Sequence, residues 1–507
     1  MSGSERPTRW MAALAGIASA ALGLGVGELV GAFVDPASAP LSAVGSAAID
    51  LAPAWAKDLA ISLFGTGDKA ALLVFIGVVV AAVAAVAGVV QRSHRPWGAV
   101  LACAIGVVGV AAAMTRAAAG PLAPLPSILA GLAAAVALSR IVGRESPPGA
   151  QPQGLTRRGF FVASGAAAVV GVALVGLSAA RRGISTGASA LREAVRLPRA
   201  ASTATLPAGA ELGVDGLTPV VTPNDAFYRI DTALVIPQLD PSEWSLRIHG
   251  MVEHEITITW QELLALPLEE SYTTLACVSN TVGGGLVGNA LWLGYPIREL
   301  LARAVPSADA DMVLSRSHDG FTAGTPLETL TDERDAILAV GMNGDPLPVE
   351  HGFPVRMVVP GLYGYVSATK WVTELEVTRF DRARAYWTDR GWSAEGPIKM
   401  ESRIDVPRGP DVAAGSVAIA GVAWNQHTGV SGVEVRIDDG GWQAAELATA
   451  ISDDTWVQWT TSADLAPGEH TIRCRAIGAD GEVQTSEVAD PAPNGASGWH
   501  ARTVTAA

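Results

Sequence analysis

Hydrophobic positions are distributed in two different ways along this chain. Up to residue 182 they come in unbroken stretches: residues 11–34, 70–90, 98–118, 122–142 and 160–180 are each apolar for about 20 residues, the length that takes a helix across roughly 30 Å of hydrocarbon. Five transmembrane helices are predicted, in a domain over residues 1–182. The stretch Leu41–Phe64 carries Asp50, Lys57 and Asp58 and reads as an interfacial or extracytoplasmic segment rather than a sixth span. Residues 183–214 are Ala/Ser/Thr-rich without a period, a linker or an extended arm. Beyond them short runs take over. Trp244–Ile248 and Ile256–Trp260 predict strands and Gln261–Leu266 and Ile297–Ala304 short helices, in an α+β domain over residues 215–405. From 406 to 507 the β-type runs Val417–Trp424, Gly432–Asp438, Trp456–Thr460 and His470–Ile477 are separated by turn signals such as Asp438-Asp439-Gly440-Gly441, which suits an immunoglobulin-like β-sandwich. The expected fold is therefore multi-domain.

Charge separates the same parts. Residues 1–182 hold 13 Lys/Arg against 7 Asp/Glu and residues 183–507 hold 22 against 42, net charges of +6 and −20. So acidic a C-terminal part repels a phosphate backbone, which argues against nucleic acid as a partner. The basic residues also orient the helices, since Lys and Arg gather on the cytoplasmic side. Arg6 and Arg9 precede the first helix, Arg92 and Arg95 follow the second, and Arg140, Arg144, Arg157 and Arg158 lie between the fourth and fifth. All share one side if the N-terminus is cytoplasmic, and five spans then leave everything after residue 180 outside. Thr156-Arg157-Arg158-Gly159-Phe160-Phe161, behind the Pro- and Gly-rich Ser146–Gly154 loop, resembles a twin-arginine export signal; ordinary positive-inside charge explains the same pair. None of the eight histidines falls in a predicted span, so bis-histidine haem ligation in the bilayer is not expected. Glu28, the one acid in the first helix, is either functional or paired inside the bundle.

Cys103, Cys277 and Cys474 are too few for a disulfide framework and lack the paired spacing of a zinc site. Cys474 alternates with charged neighbours in Thr471-Ile472-Arg473-Cys474-Arg475 and reads as a buried filler. Cys277 ends the apolar run Thr273-Thr274-Leu275-Ala276, and Val278-Ser279-Asn280, Gly283-Gly284-Gly285 and Gly288-Asn289-Ala290-Leu291-Trp292 follow. Small residues let backbone approach a bulky ligand, and a free thiol binds a soft-to-borderline metal as thiolate. A lone cysteine without context is more often structural.

The context consists of further segments in a fixed order: Pro223-Asn224-Asp225-Ala226-Phe227-Tyr228-Arg229, the Cys277 and Gly288–Gly294 stretches, His318-Asp319-Gly320-Phe321, Met342-Asn343-Gly344, His351-Gly352-Phe353-Pro354-Val355-Arg356, Val359-Pro360-Gly361 and Ser367-Ala368-Thr369-Lys370-Trp371. As an ordered set over residues 215–500 these resemble the sulfite oxidase superfamily of molybdopterin-dependent oxidoreductases, in a membrane-anchored, actinobacterial-type form. The resemblance implies an enzyme with a Mo-molybdopterin cofactor and Cys277 as the molybdenum ligand and catalytic centre. It implies cofactor contacts at Asn224, Tyr228, Arg229, Asp319, His351, Arg356 and Lys370, with a backbone contact across Ala368, Thr369 and Lys370. A pterin carrying a phosphate and a flat ring rich in donors and acceptors needs such cationic forks and amides. A small-molecule substrate, oxo transfer, a separate electron-transfer protein or quinone, a multi-pass cell-membrane location and a possible homodimer through residues 406–507 belong to the same expectation. The chain departs from the sulfite-oxidising branch where Ala339-Val340-Gly341-Met342 replaces a tyrosine-bearing strand and Cys277-Val278-Ser279-Asn280 replaces Cys-x-Gly-Asn. Valine leaves a drier substrate-side wall and puts sulfite in doubt. A reductase of oxidised sulfur or nitrogen compounds such as methionine sulfoxide, and a non-catalytic membrane scaffold or receptor, are the rival readings.

Overall fold

The computed structural model describes residues 7–53, 56, 59, 63, 64, 67–142, 156–184 and 187–507. Arg6, Lys57, Asp58, Arg144 and the Ser146–Gly154 loop, named above, lie outside the described residues. Two compact units form, Met1–Thr186 with Thr232–Pro237, and Gly187–Asp231 with Gln238–Ala507.

The first unit is helical: α1 (Arg9–Val34), α2 (Pro40–Leu51), α3 (Asp68–Ser93), α4 (Trp97–Met114), α5 (Leu125–Ile141) and α6 (Arg157–Ile184). Helix α1 packs against α3, α5 and α6. At its crossing with α3, a methyl group on Gly16 or Gly88 would fall 1.9 Å from a carbonyl oxygen of the partner helix, so glycine is what brings the two backbones together. Large apolar side chains point outward, among them Phe75, Val107 and Val172, each at least 65% exposed, a surface suited to hydrocarbon rather than water. Among the described residues four helices, Arg9–Val34, Lys69–Ser93, Trp97–Met114 and Arg157–Arg181, are long and apolar enough to cross a membrane. Of the five expected spans the fourth, residues 122–142, falls below that length. Residues 121–124 form a turn, and Pro124 and Pro126 confine the fourth run to a helix of 17 residues, about 25 Å long and at the lower limit for a span. Helix α2, at 12 residues, is too short to cross. Glu28 is buried, and its Oε1 accepts the Leu41 N–H at 2.9 Å in the first turn of α2, so it satisfies a helix end inside the bundle.

The second unit begins with an ordered arm. After α7 (Gly187–Ala194), Arg192 Nε donates to Leu347 O at 2.8 Å, Glu270 N to Ser202 O at 2.9 Å and Leu212 N to Gln458 Oε1 at 2.8 Å. Then come β1 (Ser245–Gly250), β2 (Ile256–Thr259), α8 (Trp260–Leu264), β3 (Glu269–Ala276), β4 (Val287–Pro296), α9 (Ile297–Ala304), β5 (Met312–Ser317), β6 (Thr322–Pro326), β7 (Ile337–Met342), β8 (Asp345–Pro346), β9 (Arg356–Val358), α10 (Gly364–Ser367) and β10 (Val372–Thr378). They build one sheet in the order β2-β1-β10-β5-β6 and another in the order β3-β4-β7-β8, with β9 on β7. Trp260, expected to end a strand, instead starts α8, because Thr259 and Glu262 close a capping box that satisfies the orphan N–H groups there.

A β-rich C-terminal region follows: β11 (Glu401–Val406), β12 (Asp411–Val412), β13 (Gly415–Trp424), β14 (Val430–Ile437), β15 (Gln443–Ala444), β16 (Glu446–Leu447), β17 (Val457–Leu465), β18 (Gly468–Gly478) and β19 (Ala501–Ala506). Two sheets, β11-β13-β17-β16 and β12-β19-β18-β14-β15, share one core to which Ile404, Ile419 and Trp459 contribute from the first and Val433, Ile472 and Cys474 from the second. Cys474 is fully buried there.

Candidate active site

Strand β3 pairs with β4 along its whole length, from Glu269 opposite Gly294 to Ala276 opposite Val287. Its far end is therefore fixed, and Cys277 is the first residue past it. The C-terminal region braces this strand from behind. Trp456 N donates to Thr274 Oγ1 at 2.8 Å, Thr274 N to Asp454 O at 3.1 Å, and Gln426 Nε2 to Thr274 O. Cys277 itself is half-buried. Burial pushes its thiol up; hydrogen bonds from the Ser279 N–H and hydroxyl, and the nearby Lys370 charge, pull it back toward the thiolate.

Basic and aromatic groups converge on the same place. Gly288 opens β4 without a side chain, and an added methyl there would sit 2.9 Å from the Phe227 ring. Phe227 fills that space and packs edge-on against Trp292 at 5.8 Å and His351 at 5.6 Å. Tyr228, beside it, is pushed above the ordinary phenol range by burial first and then by Cys277, against the pull of Arg356. His351 Nε2 lies 3.2 Å from Asn224 O, while its buried Nδ1 has no hydrogen-bond partner among the described residues. Burial, with the Arg356 and Lys370 charges, lowers that imidazole to about 3, so it is neutral at physiological pH. Asn224 is held by Met342 O at 3.3 Å and by Asn343 Nδ2 at 2.8 Å.

Arg356, at 3% exposure, stacks 5.1 Å over Trp292 and donates only to the carbonyls of Met357 and His351. Among the described residues it has no carboxylate partner, and burial lowers it to about 10. Lys370 is likewise buried and lowered to about 8 by burial, although Asp231 at 3.0 Å opposes the shift. Asp231 also pairs with the exposed Arg229 at 2.9 Å. Thr369 is spent on structure, its Oγ1 2.7 Å from Ser315 Oγ and its carbonyl accepting Met357 N at 2.9 Å. Ala368 lies near the end of β3, with Gly364 between it and Ala276. The structure thus brings Cys277, Tyr228, His351, Arg356, Lys370 and Arg229 into one electrostatic group. Asp319 uses its Oδ1 on the Phe321 N–H of its own turn.

Residues 233–387 match the model of the oxidoreductase molybdopterin binding domain. The uncharacterized oxidoreductase YuiH of Bacillus subtilis is 31% identical over 188 residues, 36% of this chain and 91% of that protein. The chain belongs to the sulfite-oxidase-like molybdopterin-dependent oxidoreductases. Human mitochondrial sulfite oxidase is 29% identical over 322 residues, 53% of this chain and 58% of that one, so the chain spans just over half the length of this relative. The crystal structure of the sulfane dehydrogenase SoxCD from Paracoccus pantotrophus shares the fold, with a TM-score of 0.50 at 23% identity over 56% of this chain and 81% of that one.

The residues present fit the family's molybdopterin. A buried Arg356 guanidinium without a carboxylate among the described residues, and Lys370 and Arg229 sharing the single carboxylate of Asp231, leave an excess of positive charge, the state an anionic phosphate corrects. An unpartnered His351 Nδ1 beside them offers a polar edge to the ring system.

Several contributors had little sequence signal. Gln426 reaches a strand residue 152 positions away, and Asp231 shows its role only through two ion pairs. Val340, expected on a substrate-side wall, is corrected: it is fully buried in the core of the unit.

Proposed function

We propose that this chain is a membrane-anchored molybdopterin-dependent oxidoreductase whose second unit works outside the cytoplasm on a small molecule, with Cys277 as thiolate ligand to molybdenum. When bound, the cofactor supplies two-electron oxo exchange. Arg356 and Lys370 bind and neutralise its anionic end, and Lys370 is held in place by Asp231 and the Glu350 carbonyl at 3.0 Å. His351, neutral and anchored through Nε2, keeps Nδ1 for a polar contact. Tyr228 retains its proton across the physiological range and can donate it as a hydrogen bond beside Cys277. Trp292 and Phe227 exclude water around the charged groups, which strengthens each of these interactions.

The observation that carries this reading is the buried, carboxylate-free Arg356 in one group with Cys277. Five crossings, counting the 17-residue α5, together with Arg9, Arg92, Arg95, Arg140, Arg157 and Arg158 on one side, support an extracytoplasmic catalytic unit. The β-rich C-terminal region is read as an immunoglobulin-like domain with a dimerisation role, and electrons pass to or from a separate protein or a quinone. Sulfite is disfavoured as its main substrate by Cys277-Val278-Ser279-Asn280, which departs from the Cys-x-Gly-Asn form of the sulfite-oxidising branch. Molybdenum and pterin analysis of the purified chain tests the reading. Metal and pterin are expected in about equal amounts with the wild type, and Cys277→Ala is expected to fold and insert but lose turnover, since no second cysteine in the group can replace the ligand. A Cys277→Ala protein with near-normal activity and bound molybdenum would exclude Cys277 as the ligand, and a metal-free, pterin-free native protein would favour a scaffold.

A further inference from the structure

Strands β3 and β4 are paired as far as Ala276 opposite Val287, so residues 277–286 have to turn the chain between them. That is longer than the roughly two to five residues of an ordinary hairpin connection, and such a loop keeps one shape only if it is tied both internally and from outside. The internal ties centre on the cysteine. Cys277 N donates to Leu286 O at 2.9 Å, its carbonyl accepts Asn280 N at 3.0 Å, and Asn280 Oδ1 accepts Leu286 N at 2.8 Å. Both main-chain polar groups of Cys277 are therefore fixed by its own loop. Gly284 closes over Asn280: its N–H donates to Thr281 O at 2.8 Å, and a methyl group added to it would stand 2.5 Å from Asn280 Oδ1.

The outside tie comes from β11. Arg403, 8% exposed, donates through Nη1 to Gly284 O at 3.0 Å. The rest of its guanidinium is engaged as well: Nε donates to Asp405 Oδ1 at 2.7 Å, and Nη2 to Thr218 Oγ1 at 3.0 Å and Asp405 Oδ2 at 3.3 Å. The next residue, Ile404, donates its N–H to His500 Nδ1 at 2.9 Å, and that ring lies against Gly283, where an added methyl would be 2.2 Å from Cδ2. Contacts thus run from Arg403 through Gly284 and Asn280 to Cys277.

We propose that Arg403 is a positioning residue for the molybdenum ligand: by holding Gly284 over Asn280 it fixes the direction in which Cys277 presents its sulfur. The inference rests on the reading of Cys277 as the ligand. A thiolate shares its lone pairs with a metal along directions set by its own torsion, and groups that orient a ligand without touching the metal commonly carry about 10- to 100-fold in affinity or activity. A guanidinium suits this task because its planar fork faces Asp405, Thr218 and Gly284 at once, which an ammonium on a flexible stem cannot do.

The test uses the full-length holoenzyme in detergent, as wild type and as two Arg403 variants. Arg403→Met with Asp405→Asn removes the guanidinium together with the carboxylate it would otherwise strand, and Arg403→Lys keeps the charge but offers one donor centre to three acceptors. Arg475→Lys, which alters the Arg475–Glu434 pair of the same C-terminal region at 2.6 Å, is the control. Molybdenum content is measured first, then the g-values of the Mo(V) signal by electron paramagnetic resonance, which follow the orientation of the sulfur about the metal. Hydrogen exchange of peptides covering residues 277–286 is read by mass spectrometry on loaded and metal-free protein. Both Arg403 variants are expected to shift the g-values and to speed exchange of the loop about tenfold, the change in local opening that loss of one charge-assisted hydrogen bond brings, while β3 exchanges as in the wild type. Arg475→Lys is expected to match the wild type in both readings. Where a variant does not load, its metal-free exchange against that of metal-free wild type decides. Unchanged g-values with unchanged loop exchange, a control shifted as far as the Arg403 variants, or failure of both variants to fold overturns the positioning role. A wild-type chain without molybdenum, or a Cys277→Ala chain that keeps metal and activity, removes the ligand reading instead; loop exchange is read without the metal, so the two failures are told apart.

Discussion

At the scale of single residues, burial sets the chemistry. Glu401 is 3% exposed, its Oε2 has no hydrogen-bond partner among the described residues, and burial raises its carboxyl to about 8 against the pull of Lys399 and Arg403. Such an acid binds more protons folded than unfolded, so its contribution to stability is whole below the unfolded value of 4.5 and is lost as pH rises through 8. Glu401→Gln keeps the protonated shape without the charge. Its melting temperature is expected to match the wild type at acidic pH and to exceed it at about pH 9; an offset that does not change with pH would remove Glu401 as the titrating group. Val340 belongs to the same scale. Because Val340 is wholly buried in the core, Val340→Tyr is expected to cost about 1–3 kcal/mol by overpacking, read as a lower melting temperature; an unchanged melting temperature would remove Val340 from the tightly packed core.

At the scale of elements, the start of β4 and the segment before β1 depend on each other. Gly288 leaves the space that Phe227 occupies, and Phe227 in turn supports Trp292 and His351. Gly288→Val is expected to displace the ring, to lower stability by about 1–3 kcal/mol and to reduce bound molybdopterin, measured together as melting temperature and pterin content. Full pterin content in this variant would show that Phe227 does not hold the cradle. Element boundaries were legible wherever periodicity ran to a strong stop: α9 covers Ile297–Ala304 as its pattern predicts. They were less so where side-chain capping decides, as at Trp260, or where prolines shorten an apolar run, as in α5.

At the scale of the whole molecule, a basic helical part at +6 precedes an acidic part at −20. Arg157 and Arg158 occupy the exposed first turn of α6, the last apolar helix before the catalytic unit. Replacing both by Lys preserves positive-inside charge but removes the pair that a twin-arginine export system reads. The double-Lys chain is expected to insert its earlier helices and leave residues 187–507 protected from protease added to spheroplasts, whereas wild type is cleaved. Equal cleavage of both would reduce the pair to a topology signal.

Local composition was enough to announce apolar helices, an α+β part and a β-rich end, because hydrophobic length and period are properties of neighbouring residues. It was also enough to name Cys277, His351, Arg356 and Lys370, since each stands in a dense short motif. Tertiary structure alone decided which of these charges are left without a partner. Asp231 reaches Lys370 across 139 positions, Gln426 and Trp456 brace the strand that ends at Cys277, and Val340 disappears into the core. Each outcome depends on what lies opposite a side chain once distant segments meet, and on how much water that meeting removes; a sequence read along its length carries neither quantity.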